Sequence, residues 1–268
     1  MEIPADWAAA VDELVRRPRR RVMVLGRPGS GKSTLCRLLV SRVRGSLLLD
    51  TDVGQKLAGP PGVVSLHGGA GEEILPPHAM AFVGAADPMG HYLPLVMGAL
   101  KLAQKAQPNP LVINTSGFVD GAGRGLKAWK IEALEPDLLI ALERQDEMRA
   151  ILADYPSLPC LRLKVAGVAR NRSTAQRRAA RRDAFAAYFA GARLFSLPAG
   201  RLVRHRVPRG EPLGGLLCAL CDGWGGMLGL GVLKAAPEGP LGPLDLLTPC
   251  DPDGAEMLVG GSLRLEEG

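Results

Sequence analysis

Three observations predict an α/β fold for this chain of 268 residues. Short apolar runs alternate with helical patterns up to about residue 195, the segment GRPGSGKST follows the first of those runs, and the later sequence turns Gly- and Pro-rich with brief apolar stretches. Together they specify a doubly wound, mainly parallel sheet of the P-loop NTPase type with a small β-rich C-terminal domain. The expected organisation is an N-terminal helical segment (1–20), a P-loop domain (21–195) and the β-rich domain (196–268).

The elements follow in order. PADWAAAVDELVRR (4–17) has the apolar spacing of a short amphipathic helix, and VMVLG after it is a brief strand. SLLLD (46–50), AMAFVG (79–84), LVINT (111–115), DLLIAL (137–142) and CLRLKV (160–165) are short and apolar, as central strands of a parallel sheet are. Helical patterns occupy 32–44, 90–106, 124–135 and 144–154 between them. Past residue 195, RLVRHRV, LLCAL, MLGLGVL, LDLLT and MLVGGSLRL suggest hairpins packed on the main domain.

An apolar fraction of 47% excludes wholesale disorder, and no apolar stretch reaches the length of a membrane span. The acidic N-terminus lacks the pattern of a secretory signal, so a cytoplasmic protein is expected, with no membrane partner. Net charge is +6, but it is regional: 162–209 carries twelve Arg, Lys164 and one acid, Asp183, for +12, leaving −6 elsewhere. Arg outnumbers Lys 25 to 8, which genomic base composition alone can produce; the regional clustering is what an anionic partner would require. Cys36, Cys160, Cys218, Cys221 and Cys250 form no even framework and are expected as thiols. Cys218 and Cys221, with Cys250 and a distant His205, are at most a weak zinc pattern beside the alternative of two half-buried thiols in a strand-rich tail.

GRPGSGKST fits GxxxxGK[ST] in full, between a strand and a helix. Gly26, Arg27, Pro28, Gly29, Ser30, Gly31, Lys32, Ser33 and Thr34 would cradle phosphate, the glycines letting backbone N–H groups converge and the helix dipole adding to them. Lys32 would reach the β- and γ-phosphates of ATP, and the Ser33 hydroxyl would bind Mg2+. The second strand ends DTDVGQ; strand periodicity puts Asp50 and Asp52 on one side, where they could hold a metal's water shell or accept a proton. An Asx-type turn closing the strand is the other reading of the same residues.

GRPGSGKSTLCRLL, DTDVGQ, INTSGFVDGAGRGLK and RNRSTAQRRAARRDAFAAYFAG, in that order, resemble the polynucleotide 5′-hydroxyl kinases of pre-messenger-RNA cleavage and ribosomal-RNA processing. The resemblance covers about 20–195, and more weakly LGLGVL, LLTPC and GGSLRL of the tail. It implies a P-loop kinase domain in which Asp52 is the general base or metal-linked acid, supported by Asp50 and Gln55. It implies a clasp for the terminal nucleotide at Thr115, Ser116, Gly117 and Phe118, with Phe118 where the family usually has Trp. It also implies a lid, RSTAQR (172–177), whose Arg172 and Arg177 flank the transferring phosphate. Independently, Ser173 and Gln176 fit a capping box, so a helix should start after Ser173. Arg178, Arg181 and Arg182 beyond it suit a solvated face as well as nucleic-acid contact. Asp87 and His91 in GAADPMGHYLPLV, and His67, are unassigned polar candidates.

Family members usually carry a β-rich domain before the phosphate loop that helps seat adenine, whereas 25 residues precede Gly26 here. The N-terminal helix or the C-terminal domain is then expected to contact the base, or nucleotide selectivity is relaxed. The expected activity is ATP- and Mg2+-dependent phosphorylation of the 5′-OH end of RNA, DNA or both. The alternatives are a non-catalytic ATP-binding assembly subunit of an RNA-processing complex and a small-molecule kinase on the same fold. Nothing in the sequence names a protein partner.

Overall fold

The computed structural model describes residues 3–71, 73–167, 172–198, 203–206, 213–234 and 243–265, with backbone alone at 203–205. Arg170, Asn171, Arg201 and Arg209 of the basic stretch, and the side chains of Arg204 and His205, lie outside the described residues.

The chain opens with α1 (Ala5–Arg16), whose Trp7, Ala10, Val11 and Leu14 form one buried face at helical spacing. Trp7 Nε1 donates to Lys164 O (2.8 Å) and Lys164 N donates to the Asp6 carboxylate (2.8 Å), tying the helix to the far edge of the first sheet. Then come β1 (Arg21–Gly26), α2 (Lys32–Arg42), β2 (Leu47–Asp50), β3 (Val63–His67), the small hairpin β4 (Gly69–Ala70) and β5 (Glu73–Ile74), β6 (Ala79–Phe82) and α3 (Tyr92–Lys105). β7 (Leu111–Asn114), α4 (Ala122–Leu134), β8 (Leu138–Glu143), α5 (Arg149–Ala153), β9 (Cys160–Lys164) and α6 (Thr174–Phe189) complete the first layer system.

Seven described strands form one sheet in the order β6-β3-β2-β7-β1-β8-β9. From β2 to β9 all pairings are parallel, and the chain crosses from β1 over β7 to reach β2, which places the switch point at the end of β1. Alternation of side chains explains why these strands read as continuous apolar runs. Met23, Leu25, Leu49, Ile113 and Leu139 face α3 and α4, while Val22, Val24, Leu48, Val112 and Ile140 face α1 and α2.

The run at 79–84 corrects its expectation: β6 is an edge strand antiparallel to β3, not a central parallel one. β3 itself lay unrecognised in GVVSLH. The 51–62 connection, with Gly54, Gly59, Pro60, Pro61 and Gly62, carries no crossover helix, so the chain returns antiparallel to β2. The helix expected over 144–154 shortens to α5.

The second sheet has the order β10-β14-β13-β12-β15-β11, from β10 (Arg193–Leu197), β11 (Val203–His205), β12 (Leu216–Cys221), β13 (Met227–Leu233), β14 (Leu244–Thr248) and β15 (Met257–Arg264). It meets the first sheet at Gly84 and Gly261, where an added Cβ on Gly84 would lie 2.6 Å from Gly261 Cα, and Ser262 N and Leu263 N donate to Gly84 O. Val63 of the first sheet, Phe185 of α6 and Leu217, Leu230 and Val232 share one buried cluster. Among the described residues no helix is long and apolar enough to cross a membrane.

Cys218 and Cys221 do not point to a common ligand. Both are buried on β12, where Cys218 shares a cluster with Leu216 and Leu220 and Cys221 shares another with Ala219, on opposite faces of the strand. His67 is a buried core histidine between Ser65 Oγ (2.8 Å) and Leu75 O (2.9 Å). His91 Nε2 meets Ser262 Oγ (3.0 Å) and so joins the first helical layer to the second sheet.

Candidate active site

The phosphate loop runs from the end of β1 into the first turn of α2, at the switch point of the sheet. Lys32 Nζ donates to the carbonyls of Gly26 and Arg27 (2.8 Å each), which bends its stem back over the loop. Burial lowers its pKa to about 8, against the pull of the nearby Asp52 carboxylate. Ser33 is exposed at the start of α2.

β2 stops at Asp50, and the chain turns at once. Asp52 N donates to Asp50 Oδ1 (3.1 Å), and Gly54 N and Gln55 N donate to Asp52 Oδ1 (3.0 Å each). The two carboxylates therefore do not project together, because the period of two ends where the strand ends. Asp50 is fully buried and used up internally: Oδ1 also accepts from Asn114 Nδ2 (2.9 Å), while Oδ2 pairs with Lys56 Nζ (3.2 Å) and accepts from Leu57 N (3.0 Å). Both acids close Asx-type turns, Asp50 Oδ1 on Asp52 N and Asp52 Oδ1 on Gly54 N, and of the two it is half-exposed Asp52 that lines the cleft.

β7 continues past Asn114 into 115–118. Thr51 N and Oγ1 donate to Asn114 O (3.0 and 2.7 Å), and Thr115 Oγ1 donates to Val24 O (2.8 Å). Gly117 lies against the phosphate loop so closely that an added Cβ would sit 2.5 Å from Pro28 N. Phe118 is half-buried, one side on the core and one on the cleft.

Three lysines that the sequence reading left without a role stand behind these loops. Lys56, Lys127 and Lys130 have buried ammonium groups. Burial lowers all three pKa values, that of Lys130 to about 7 and that of Lys127 well below the ordinary lysine range. A signal existed: in GLKAWKIEAL both helical lysines fall on the face of α4 shared by Gly123, Leu126, Ile131 and Leu134, where apolar residues belong.

At the other wall, the capping box is present: Ser173 Oγ accepts from Gln176 N (3.1 Å), and Gln176 Oε1 accepts from Ser173 N (2.8 Å). Arg177 Nε donates to Arg172 O (3.1 Å), so the two arginines lie side by side at the helix start. Gln55 Nε2 donates to Arg177 O (3.5 Å), linking the acidic loop to the start of α6. α6 is held at its other end by the second sheet, through Phe185 in the shared cluster and Tyr188 Oη, which accepts from Leu230 N (2.9 Å).

One cleft of about 1260 Å³ gathers these parts, with Lys32, Ser33, Asp52, Gln55, Thr115, Ser116, Gly117, Phe118, Arg172 and Arg177 on its walls. Arg181 joins them; Arg162 is instead engaged by Glu143 and Asp146, and Arg182 lies beside Asp183. Asp87 is on the lining and His91 is not. Ile3, Pro4, Trp7, Leu38 and Ala166 also line it, and among the described residues the lining includes no strand of the second sheet.

A phosphate loop at the switch point of a doubly wound sheet defines the class as a P-loop nucleotide-binding protein. Within that class the chain belongs to the family described as the mRNA cleavage and polyadenylation factor CLP1 P-loop, whose model matches residues 26–191. It is 34% identical over 206 residues to a polyribonucleotide 5′-hydroxyl-kinase of Pyrococcus horikoshii, covering 72% of this chain and 56% of that protein. A counterpart in Pyrococcus abyssi is 32% identical over 228 residues (80% and 64%), and the polyribonucleotide 5′-hydroxyl-kinase Clp1 of Xenopus tropicalis is 31% identical over 209 (69% and 46%). The chain thus spans between about half and two thirds of the length of these relatives. The solved wild-type Clp1p–Pcf11p complex has a similar fold, with a TM-score of 0.74 at 14% identity over 97% of this chain and 78% of that one.

Proposed function

We propose that this chain is an ATP-dependent polynucleotide 5′-hydroxyl kinase, which transfers the γ-phosphate of ATP to the 5′-OH end of RNA, DNA or both. The observation that carries the reading is the convergence in one cleft of a phosphate loop, an available carboxylate, a paired-arginine lid and a half-exposed aromatic ring. The relatives named as polyribonucleotide 5′-hydroxyl-kinases support the same substrate class.

In the reaction the 5′-oxygen forms a bond to the γ-phosphorus, the bond from that phosphorus to the β,γ-bridging oxygen breaks, and ADP leaves. Asp52 accepts the hydroxyl proton. Its Oδ1 is held by two backbone amides, and among the described residues Oδ2 accepts no hydrogen bond. Lys32 neutralises β- and γ-phosphate charge, while Arg172 and Arg177 stabilise charge spread over the transferred group. Phe118 offers a face for the terminal base, smaller than an indole. The nucleoside of ATP lies against Ile3, Pro4, Leu38 and Ala166 of that lining, so the segment leading into the N-terminal helix supplies a base contact.

The donor set fits Mg2+. The exposed Ser33 hydroxyl and the Asp52 carboxylate are hard oxygens on one cleft, suited to an ion that keeps several waters, whereas Asp50 has no oxygen to spare. Bound there, Mg2+ would supply charge neutralisation of the phosphates.

The test is transfer of γ-labelled phosphate from ATP to 5′-OH RNA and DNA oligonucleotides with Mg2+. Label at the 5′ end is expected, and Asp52→Asn is expected to abolish it while nucleotide binding persists. A chain that binds ATP and labels neither oligonucleotide overturns the proposal.

A further inference from the structure

The two reactive loops of the cleft are held from behind by a pair of buried lysine amines. Lys127 and Lys130 are one turn apart on α4 and fully buried. Lys130 Nζ donates to Thr51 O (3.2 Å) and Thr51 Oγ1 (2.9 Å). Lys127 Nζ donates to Ser116 O (2.9 Å), Ser116 Oγ (3.3 Å) and Phe118 O (3.0 Å). All five acceptors are neutral oxygens, in contrast to Lys56, which has the Asp50 carboxylate.

A buried lysine without a carboxylate partner is a poor way to stabilise a fold, since an apolar residue of similar volume serves at least as well. What these buried amines do is select the direction of particular peptide planes. Thr51 O belongs to the peptide whose N–H is that of Asp52, and that N–H donates to Asp50 Oδ1. With Lys130 on its oxygen and Asp50 on its nitrogen, the plane leading into Asp52 is held at both ends. Ser116 O and Phe118 O lie in the planes on either side of the Gly117–Phe118 peptide, so Lys127 sets both the approach of Gly117 to Pro28 and the turn that carries the Phe118 ring. One helix face thereby fixes the acidic loop and the clasp relative to each other.

We propose that Lys127 and Lys130 are positioning residues for phosphoryl transfer, Lys130 setting Asp52 toward the acceptor hydroxyl and Lys127 setting the 116–118 clasp around the terminal nucleotide. This rests on the kinase reading of the cleft. Neither lysine lines that cleft, so both act through the loops they hold.

The experiment measures transfer, ATP binding and melting for the full chain and for Lys130→Met and Lys127→Met, which keep much of the side-chain volume and remove the donor. A displaced acid or clasp of about 1 Å lowers turnover roughly 100-fold. Both variants are therefore expected to lose kcat by about that factor, with ATP affinity within about twofold of the parent. Lys127→Met should also raise KM for the oligonucleotide, and Lys130→Met should not. A variant with a lower melting temperature but unchanged kcat per folded molecule shows a structural role only and overturns the proposal for that lysine. If a methionine variant does not fold, Lys130→Gln and Lys127→Gln, which keep a hydrogen-bond donor on a shorter stem, should lower kcat at unchanged ATP affinity. Full activity per folded molecule of a glutamine variant overturns the proposal for that lysine. An unsubstituted chain that binds ATP without labelling any 5′ end fails the kinase reading itself, a result distinct from active variants of an active parent.

Discussion

The contact between Gly117 and Pro28 makes the sharpest demand on the cleft. A methyl group added at Gly117 would lie 2.5 Å from Pro28 N and 2.6 Å from both Pro28 Cδ and Cγ. Non-bonded carbon atoms rest at about 3.5–4.0 Å, so Gly117→Ala is short of room by about 1 Å. Neither side yields by swinging a flexible side chain. Pro28 is a rigid ring within the phosphate loop, and Lys127 holds the carbonyls of Ser116 and Phe118 on either side of Gly117. The clasp and the loop must therefore separate, at a stability cost of about 1–3 kcal/mol. Transfer should fall by about two orders of magnitude, because acceptor and donor phosphate are then held about 1 Å out of line. Steady-state kinetics resolve which side moves: a raised KM for ATP marks the loop, and a raised KM for the oligonucleotide marks the clasp. Gly125→Ala is the control, since its methyl group meets open space in α4 and should leave transfer unchanged while favouring the helix. Wild-type kcat/KM and melting temperature in Gly117→Ala would refute the reasoning.

Three further outcomes are expected. Ser173→Ala removes the capping box of α6 and destabilises its first turn by about 1 kcal/mol; stopped-flow or steady-state assays should show reduced kcat with little change in global melting, whereas Ser173→Thr retains activity. The lowered pKa of Lys130, about 7, means that the unfolded chain holds a proton there that the folded chain releases between pH 7 and the ordinary lysine range. Stability from this residue therefore rises with pH across that window, and the melting temperature of the parent relative to Lys130→Met should increase from pH 7 to pH 9. Chelation of divalent ions should stop transfer without altering the melting curve of the ligand-free chain, since both proposed donors, Ser33 and Asp52, lie on the cleft wall rather than in a packed core.

Much of this molecule can be read along the chain wherever the information is local. The phosphate loop is legible because its glycines, Lys32 and Ser33 are contiguous and lie between a strand and a helix. The start of α6 is legible because Ser173 and Gln176 satisfy each other's backbone groups within four residues. Asp50 was harder. Spacing alone groups it with Asp52, and only the arrival of Asn114 from β7 and of Lys56 from the following turn shows that its oxygens are already occupied. β3 was missed for a related reason: GVVSLH is a strand whose direction depends on a connection with no crossover helix.

By itself, then, the sequence determined the nucleotide-binding element, the alternation that builds a doubly wound sheet, and the residue types able to handle phosphate charge. These depend on periodicity and short-range hydrogen bonding, which a linear chain displays directly. Only the tertiary structure decided which acid faces the cleft, that Gly117 abuts Pro28, and that two lysines of α4 reach the carbonyls of Thr51, Ser116 and Phe118. Those contacts join residues far apart in the chain, up to 89 positions for Gly117 and Pro28. Their energetics depend on distance and burial, which packing creates and spacing does not record.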